Sequence, residues 1–539
     1  MLFQPAGSSK APASVRRRFF SVFDLFAFAV IFGLLALFTH GTEETLVPIS
    51  QMEQTPISLD PWSLPEYSLR TTLRMLAAIV ASLLFTFLYG ALAAKSRRAE
   101  MVLIPILDIL QSVPVLGFLS FTVLFFMGLF PRSFRLTGWQ RFWRLEVPFS
   151  MPGLVWNTMM SMSGGWFFVV ASEAITVGNT TISLPGVGAY VATAIDQRDL
   201  TAVGWSVLAM LVIILIYDQL LFRPLVAWAE KFRFEQSAGG PPPRSWVLDL
   251  VKRAHLFQLL ISPFAALLRT AARMPLASPV KLPQPVGQAW ASPIMDRVWA
   301  VMVGAVALYG IWTIYAFVSR EVGLSEAGHV VWLGFLTLLR VAVLIFLASL
   351  VWVPIGVWIG LNPKVATAIQ PLAQFLAAFP ANIVFPFAVV AIVHFKLDPN
   401  IWLSPLMILG TQWYILFNVI AGASAFPTDM REAASAFHIR GWHWWTKVIL
   451  PGVFPYYVTG ALTASGGSWN AAIVAEVASW GDTTLRAEGL GAYIADATTA
   501  ADYPRITLGI AVMSLYVIAF NRTLWRPMFS FAARRLRMD

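Results

Sequence analysis

Long apolar runs dominate this chain of 539 residues. Each run is about 20 residues or longer, the length that an α-helix needs to cross a bilayer. Hydrophobic residues make up 58% of the chain and charged residues 12%, about half the charged share of a soluble protein. The sequence therefore predicts an all-α polytopic membrane protein with about 11 spans. The predicted spans are 19–38, 71–94, 101–130, 152–177, 203–222, 297–318, 331–361, 366–395, 402–423, 452–479 and 506–524.

The net charge of +10 describes membrane topology rather than affinity for nucleic acid. Basic residues cluster next to apolar runs, at 10–18, 95–98 and 534–537. Cytoplasmic loops collect Lys and Arg in this way. The pattern predicts a multi-pass membrane protein, in contact with lipid, with cytoplasmic N- and C-termini and no nucleic-acid partner.

Several kinds of site are excluded by what the sequence lacks. It contains no Cys, and its six His residues have no ligand spacing, so no metal site is expected. No phosphate-binding motif of the Gly-x-x-x-x-Gly-Lys-Ser/Thr type occurs. Ser, His and carboxylate residues form no hydrolytic arrangement. We expect no cofactor and no enzymatic activity, so any ATP hydrolysis requires a separate subunit.

Residues 431–451, REAASAFHIRGWHWWTKVILP, form a basic segment between two apolar runs. Apolar residues recur at nearly helical spacing, which predicts an amphipathic helix at the membrane surface. The apolar positions are Ala434, Phe437, Ile439, Trp442 and Trp445, and the polar face carries Arg431, Glu432, Arg440 and Lys447. The polar face is available to a partner protein.

The same segment resembles the cytoplasmic coupling loop of ABC importer permeases. That loop has Glu-Ala-Ala, three residues, Gly, nine residues, then an aliphatic residue, any residue and Leu-Pro. Glu432, Ala433, Ala434 and Pro451 stand at the matching positions, and Val448 and Leu450 complete the final pattern. His438 departs from the family pattern, which has Gly there, and Gly441 is the nearby residue that could supply a similar turn.

The chain repeats itself. At an offset of 303 residues the match is continuous over 138–224, and it pairs Trp166 with Trp469 and Glu173 with Glu476. Upstream the offset becomes 266. The first copy therefore lacks a segment that corresponds to 403–439, which holds one span and the Glu-Ala-Ala element.

With this repeat, the chain looks like a fused, duplicated permease of the nitrate, sulfonate, taurine and bicarbonate ABC importer group. The resemblance implies two tandem copies of a type I permease unit. We expect a first copy at 1–227, truncated near 131–137, a cytoplasmic linker with an amphipathic helix at 228–297, and a second copy at 298–539. It also implies ABC ATPase subunits as partners, and a periplasmic or lipid-anchored solute-binding protein.

The loss of one span reverses the topology after 101–130 unless that segment returns to the side from which it entered. One hypothesis is a re-entrant hairpin broken at Pro114. The alternative is a deletion variant with a damaged first copy.

Six polar residues are candidates for the translocation path. Arg74 and Arg340 occupy equivalent places in the two copies, where each could attract an anion or reach to the membrane interface. Glu173 and Glu476 end another repeated span and could cap it or form an external gate. The remaining candidates are Asn157 and Asn470, which could bond neighbouring helices or contact the substrate.

An ion-coupled secondary transporter with inverted repeats is the alternative function. A copy with five spans followed by one with six would be inverted in the membrane, as in many such carriers. The charge distribution and the scarcity of carboxylates within the spans argue against it.

Overall fold

The structure, a computed structural model, describes residues 57–95, 147–177, 180–229, 245–254, 293–426 and 428–535, with isolated residues between them. The predicted spans 19–38 and 101–130, the truncation near 131–137 and most of the linker lie outside the described residues. The described part is largely helical and includes two short β-hairpins.

The first half, residues 57–229, combines long helices with one β-hairpin. It begins with a 3₁₀ turn over Pro61–Ser63, capped by the Asp60 carboxylate, which accepts from the Trp62 N–H at 3.0 Å. Its elements are α1 (Leu64–Lys95), α2 (Val147–Ser172), β1 (Ala174–Val177), β2 (Thr180–Ser183), α3 (Val187–Asp196), α4 (Leu200–Tyr217) and α5 (Arg223–Ala229). A short helix, α6 (Trp246–Arg253), follows.

The second half extends from 293 to 535 and contains the same kinds of element. Its helices and strands are α7 (Pro293–Val318), α8 (Leu324–Gly360), α9 (Pro363–Ala378), α10 (Phe385–His394), α11 (Pro399–Trp402), α12 (Ser404–Leu409), α13 (Trp413–Ser424), α14 (Thr428–Ala436), α15 (Gly441–Trp444), α16 (Leu450–Ala475), β3 (Val477–Trp480), β4 (Thr483–Arg486), α17 (Leu490–Thr499), α18 (Tyr503–Phe520) and α19 (Arg526–Arg535).

The secondary structure repeats at the offset found in the sequence. Every element from α2 to α5 has a counterpart, from α16 to α19, that begins 303 residues later. The Gly481 N–H donates to the Ile195 carbonyl at 3.0 Å, so the second hairpin touches the last turn of α3, just before α4. Corresponding ends of the two halves therefore lie on the same side of the molecule, in a parallel arrangement.

Six helices in the described residues are long and apolar enough to cross a membrane, or seven if a bent pair counts as one span. They are Pro61–Gly90, Leu200–Ala229, Val301–Val318, Leu324–Gly360, Gly441–Ala475 and Tyr503–Ala532, and the bent pair is α11–α12 with α13. The prediction of an all-α polytopic membrane protein is confirmed. The two β-hairpins were not predicted, and β1 and β3 occupy the ends of predicted spans 152–177 and 452–479.

The prediction of one continuous span over 366–395 is wrong. Phe379 is extended, with ψ 126°, because the ring of Pro380 disfavours the helical conformation in the residue before it. A 3₁₀ turn over Ala381–Val384 and the ten residues of α10 follow. The predicted span 402–423 is also interrupted, since α12 and α13 meet at an angle of 45°.

Three π-helical turns each end two residues before a proline. They are Asp218–Phe222 before Pro224, Trp445–Ile449 before Pro451, and Asn521–Trp525 before Pro527. A proline within a helix lacks the N–H donor, and its ring presses on the carbonyl four residues earlier. The wider π turn accommodates both effects, so the chain continues as helix through each proline.

Each half of the described chain has one large buried apolar cluster, and the second half has a further small one that includes Ile359, Ala377 and Phe417. Trp166, Met162 and Tyr190 belong to the first-half cluster, and Trp469 to the second-half cluster. Ile383 of the second half packs in the first-half cluster, while Phe167 of the first half packs in the second-half cluster. The halves therefore share buried surface near the C-terminal part of α2 and the break between α9 and α10.

Candidate functional site

The predicted single amphipathic helix over 431–451 is instead two helices joined by a tight turn. α14 ends at Ala436, where the His438 N–H donates to the Ser435 carbonyl at 3.0 Å and the Ile439 N–H to the Ala434 carbonyl at 2.9 Å. These two bonds form a Schellman cap. The prediction was wrong because spacing alone does not reveal a cap without glycine.

His438 takes the left-handed conformation that this cap requires, with φ +55°. Glycine adopts this conformation most readily, so His438 replaces the family's Gly in geometry as well as in sequence. Its Nδ1 lies 3.1 Å from the Ser435 carbonyl. Gly441 has φ +59° and begins the helix that continues through Pro451 into α16.

α14 presents most of its surface to solvent. From Met430 to His438 only Ala434 is buried, with 5% of its surface exposed, whereas Glu432 and Ala433 are exposed. Beyond the cap, Phe437 is 80% exposed. Over 430–438 this element is exposed on every side except that of Ala434. Its full range is 428–440. We call it the coupling element.

Arg74 and Glu173 are brought together in the first half. The Glu173 side chain is fully buried, and one carboxylate oxygen pairs with the Arg74 guanidinium. The other oxygen accepts from the Thr71 hydroxyl at 3.0 Å and the Gly188 N–H at 2.7 Å. Arg74 also donates to the Pro185 carbonyl at 3.0 Å. The cluster ties α1, the end of α2 and the first turn of α3 together.

The second half repeats this cluster with Arg340 and Glu476. Arg340 Nη1 lies 3.1 Å from the Glu476 carboxylate, whose side chain is 1% exposed. Thr337 donates to the same carboxylate at 2.9 Å, and the Ala492 N–H donates at 3.1 Å. Asn400 adds a contact, since its side-chain oxygen accepts from Arg340 at 3.3 Å and from the Glu488 N–H at 2.8 Å.

Glycine makes room for each buried carboxylate. A Cβ at Gly186 would lie 2.4 Å from the Glu173 carboxyl, and one at Gly489 would lie 2.2 Å from that of Glu476. These distances are too short for any side chain. The two glycines, at an offset of 303, allow the chain after each hairpin to pass directly over a carboxylate.

Sequence reasoning missed Thr71 and Thr337, although a signal was present. Each lies three residues before the arginine of its cluster, on the same helix face, and the two threonines are separated by the same 266 residues as the arginines. Of the other candidates, Asn470 is half-buried in α16. Asn157 lies within α2, but its side chain is outside the described residues.

A further ionic network joins α8, α17 and α18. Arg505 donates to both carboxylate oxygens of Glu326, at 2.6 and 3.1 Å, and also pairs with Asp502. The Tyr493 hydroxyl donates to Glu326 at 3.0 Å. The Arg505 guanidinium holds the pKa of the Asp502 carboxyl below its ordinary value. In the described residues no group of His and carboxylate side chains could hold a metal ion.

Comparison with known proteins finds a family model that matches part of the second half. Residues 352–524 match the binding-protein-dependent transport system inner membrane component. This stretch of the second half, about a third of the chain, is therefore similar to that family. The matched stretch begins in α8 and includes the coupling element, the second hairpin and α18.

Three relatives are permeases of transport systems. The bicarbonate transport system permease protein CmpB of Synechococcus elongatus is 31% identical over 185 residues, 34% of this chain and 62% of the relative. The nitrate import permease protein NrtB of Leptolyngbya laminosa is 27% identical over 185 residues, 34% and 63% of the two chains. The taurine transport system permease protein TauC of Escherichia coli is 27% identical over 187 residues, which are 34% of this chain and 62% of the relative. The chain thus spans less than two thirds of the length of each.

Proposed function

We propose that the chain is the membrane-spanning permease subunit of an ATP-driven ABC importer and carries a small anion across the bacterial inner membrane. The observation that supports this most directly is the exposed coupling element within a stretch that matches the family. The relatives' names mention bicarbonate, nitrate and taurine, all of which bear an anionic group. A nitrate, sulfonate or bicarbonate is therefore the proposed substrate class.

The coupling element is the proposed docking site for an ABC ATPase subunit. Glu432 and Ala433 face outward and would contact the ATPase, while Ala434 faces the permease itself. Gly441 and Pro451 belong to the helical segment that leads from this element into α16. Movement of the docked ATPase would therefore pass directly into a membrane-spanning helix.

We infer that the halves are two copies of one permease unit, with boundaries 1–227, 228–297 and 298–539. The common offset of 303 in sequence and secondary structure supports this inference. An external solute-binding protein, periplasmic or lipid-anchored, would deliver the anion to the side opposite the coupling element. Both termini would be cytoplasmic, as the basic residues near them suggest.

The candidate path residues take different roles in this proposal. Arg74 with Glu173, and Arg340 with Glu476, form neutral pairs and would fix the outer ends of the halves rather than attract the anion by net charge. Asn157 and Asn470 would lie closer to the path.

Co-purification from native membranes tests the proposal. The structure changes the choice of variant, because Ala434→Asp would bury a carboxylate and could disturb folding. Ala433→Asp places the same charge on the exposed face, and the matched control is Ala500→Asp at an exposed position in the α17–α18 turn. A P-loop ATPase should accompany the wild type and the control but be lost from Ala433→Asp. Its retention by Ala433→Asp, or its absence from the wild type, would contradict the proposal.

The parallel arrangement of the halves argues against an ion-coupled carrier with inverted repeats. Such carriers place corresponding ends of their repeats on opposite sides of the membrane. In this chain the second hairpin contacts the turn between α3 and α4.

A further inference from the structure

Gly164 of α2 and Gly467 of α16 are equivalent positions in the two halves, 303 residues apart. A Cβ at Gly164 would lie 2.8 Å from the Tyr414 hydroxyl oxygen, and a Cβ at Gly467 would lie 4.0 Å from Tyr414 Cε2. The Tyr414 side chain therefore lies between the two repeated helices, one from each half. The absence of a side chain at Gly164 leaves space for the Tyr414 hydroxyl, whereas Gly467 leaves space for Thr411, whose Cγ2 would lie 2.5 Å from a Cβ there.

Tyr414 closes this space. Only 9% of its surface is exposed. Phe167 of α2 packs against Phe385, with ring centroids 6.4 Å apart, and its carbonyl accepts from the Asn382 side chain at 3.4 Å. In this conformation aromatic rings fill the contact between the halves.

The backbone of Tyr414 is held where α12 bends into α13. The hydroxyl of Thr411, a residue in the bend, lies 3.0 Å from the hydroxyl of Ser468 in α16. A Cβ at Gly460 would lie 2.6 Å from the Tyr414 carbonyl, so α13 and α16 approach backbone to backbone. These contacts fix the ring relative to α16, and the ring reaches across to α2.

The coupling element is directly connected to the helix that carries Tyr414. α13 ends at Ser424, and α14 begins four residues later at Thr428. Small residues allow α13 to pack closely along its length, since a Cβ at Gly356 would lie 2.7 Å from Val419 and one at Gly422 would lie 2.7 Å from Tyr456. A closely packed helix of this kind moves as a rigid body, so a shift of α14 displaces Tyr414, which lies about 15 Å along α13 from Ser424.

We propose that Tyr414 is the gate of the translocation path between the two halves, opened and closed through α13 by the coupling element. No counterpart of α13 occurs in the part of the first half that the structure describes, so this gate comes from the second half. A small hydrophilic solute passes when the Tyr414 side chain, carried with α13 and α16, moves away from Gly164 of α2. The proposal rests on the proposed transport function, but its test requires neither the ATPase nor the substrate.

Cysteine accessibility tests the gate, because the chain has no cysteine of its own. Ser468→Cys places one thiol beside Thr411 with little change in side-chain shape. The full chain that carries this substitution is reconstituted into lipid vesicles. The probe is a small anionic methanethiosulfonate reagent. Open states of a few per cent are typical of two-state proteins, so removing the ring with Tyr414→Ala should raise the labelling rate by about tenfold or more. Tyr414→Phe keeps the ring and should label at the wild-type rate.

The matched control is Tyr457→Ala, which removes a second-half tyrosine that lies 3.1 Å from Ser349 within the same half. It should leave labelling of the Ser468→Cys thiol unchanged. If Tyr414→Ala aggregates on size-exclusion chromatography, Tyr414→Leu replaces it, with a smaller increase expected. The gate is refuted if the folded Tyr414 variant labels no faster than Tyr414→Phe, or if Tyr457→Ala gives an equal increase. Failed co-purification of an ATPase would instead refute the transport function.

Discussion

Replacing Arg340 with alanine leaves the Glu476 carboxylate buried without its cationic partner. The Glu476 side chain is 1% exposed and that of Arg340 is 14% exposed, so little water can replace the lost charge. Thr337 and the Ala492 N–H still donate to the carboxylate, but both are neutral. Removing one partner of a buried ion pair costs about 3–5 kcal/mol. We expect Arg340→Ala to lower the free energy of unfolding by that amount.

The matched control is Arg198→Ala, which breaks the pair between Arg198 and Asp482. Their side chains are 50% and 98% exposed, and exposed pairs contribute about 0.2–1 kcal/mol. The purified variants are unfolded in detergent with increasing SDS and followed by tryptophan fluorescence. The double variant Arg340→Met/Glu476→Met should recover most of the loss, because no charge stays buried.

Two results would refute this reasoning. If Arg340→Ala is no less stable than Arg198→Ala, burial does not set the strength of the Arg340–Glu476 pair. If the double variant is as unstable as Arg340→Ala, the loss comes from packing or from the Asn400 contact and not from the unpaired carboxylate.

Three further predictions concern single positions. His438→Gly should stabilise the chain against thermal unfolding by about 1 kcal/mol, because glycine adopts the left-handed conformation without strain, whereas His438→Ala should give no gain. Gly489→Ala should lower the melting temperature because its Cβ would lie 2.2 Å from the buried carboxylate, while Gly90→Ala, with open space around it, should not. Arg505 lowers the pKa of Asp502 in the folded state. The pair therefore stabilises the protein fully at pH values above the ordinary Asp pKa of about 3.9, and this stabilisation is lost as the pH falls below it. The difference in melting temperature between wild type and Asp502→Asn should therefore shrink from pH 6 to pH 3, and a constant difference would contradict the assignment.

The membrane class and the repeat could be read from the sequence, since both depend on local composition. A run of twenty apolar residues needs a bilayer whatever it packs against. The offset of 303 that pairs Trp166 with Trp469 reappears in the bounds of α2 and α16. The equivalent positions of Arg74 and Arg340, and of Glu173 and Glu476, were also visible before any contact was known.

The contacts of those residues could be seen only in the folded chain. Arg340 and Glu476 are 136 residues apart, and hydropathy does not reveal that a hairpin and a glycine bring them into contact. The left-handed His438 and the break before Pro380 depend on which backbone hydrogen bonds the folded chain can make. Tyr414 gave no signal, because its proposed role depends on the approach of its hydroxyl to Gly164, on a helix of the other half. Local sequence therefore fixes which segments enter the membrane, whereas contacts between distant segments determine which side chains meet within it.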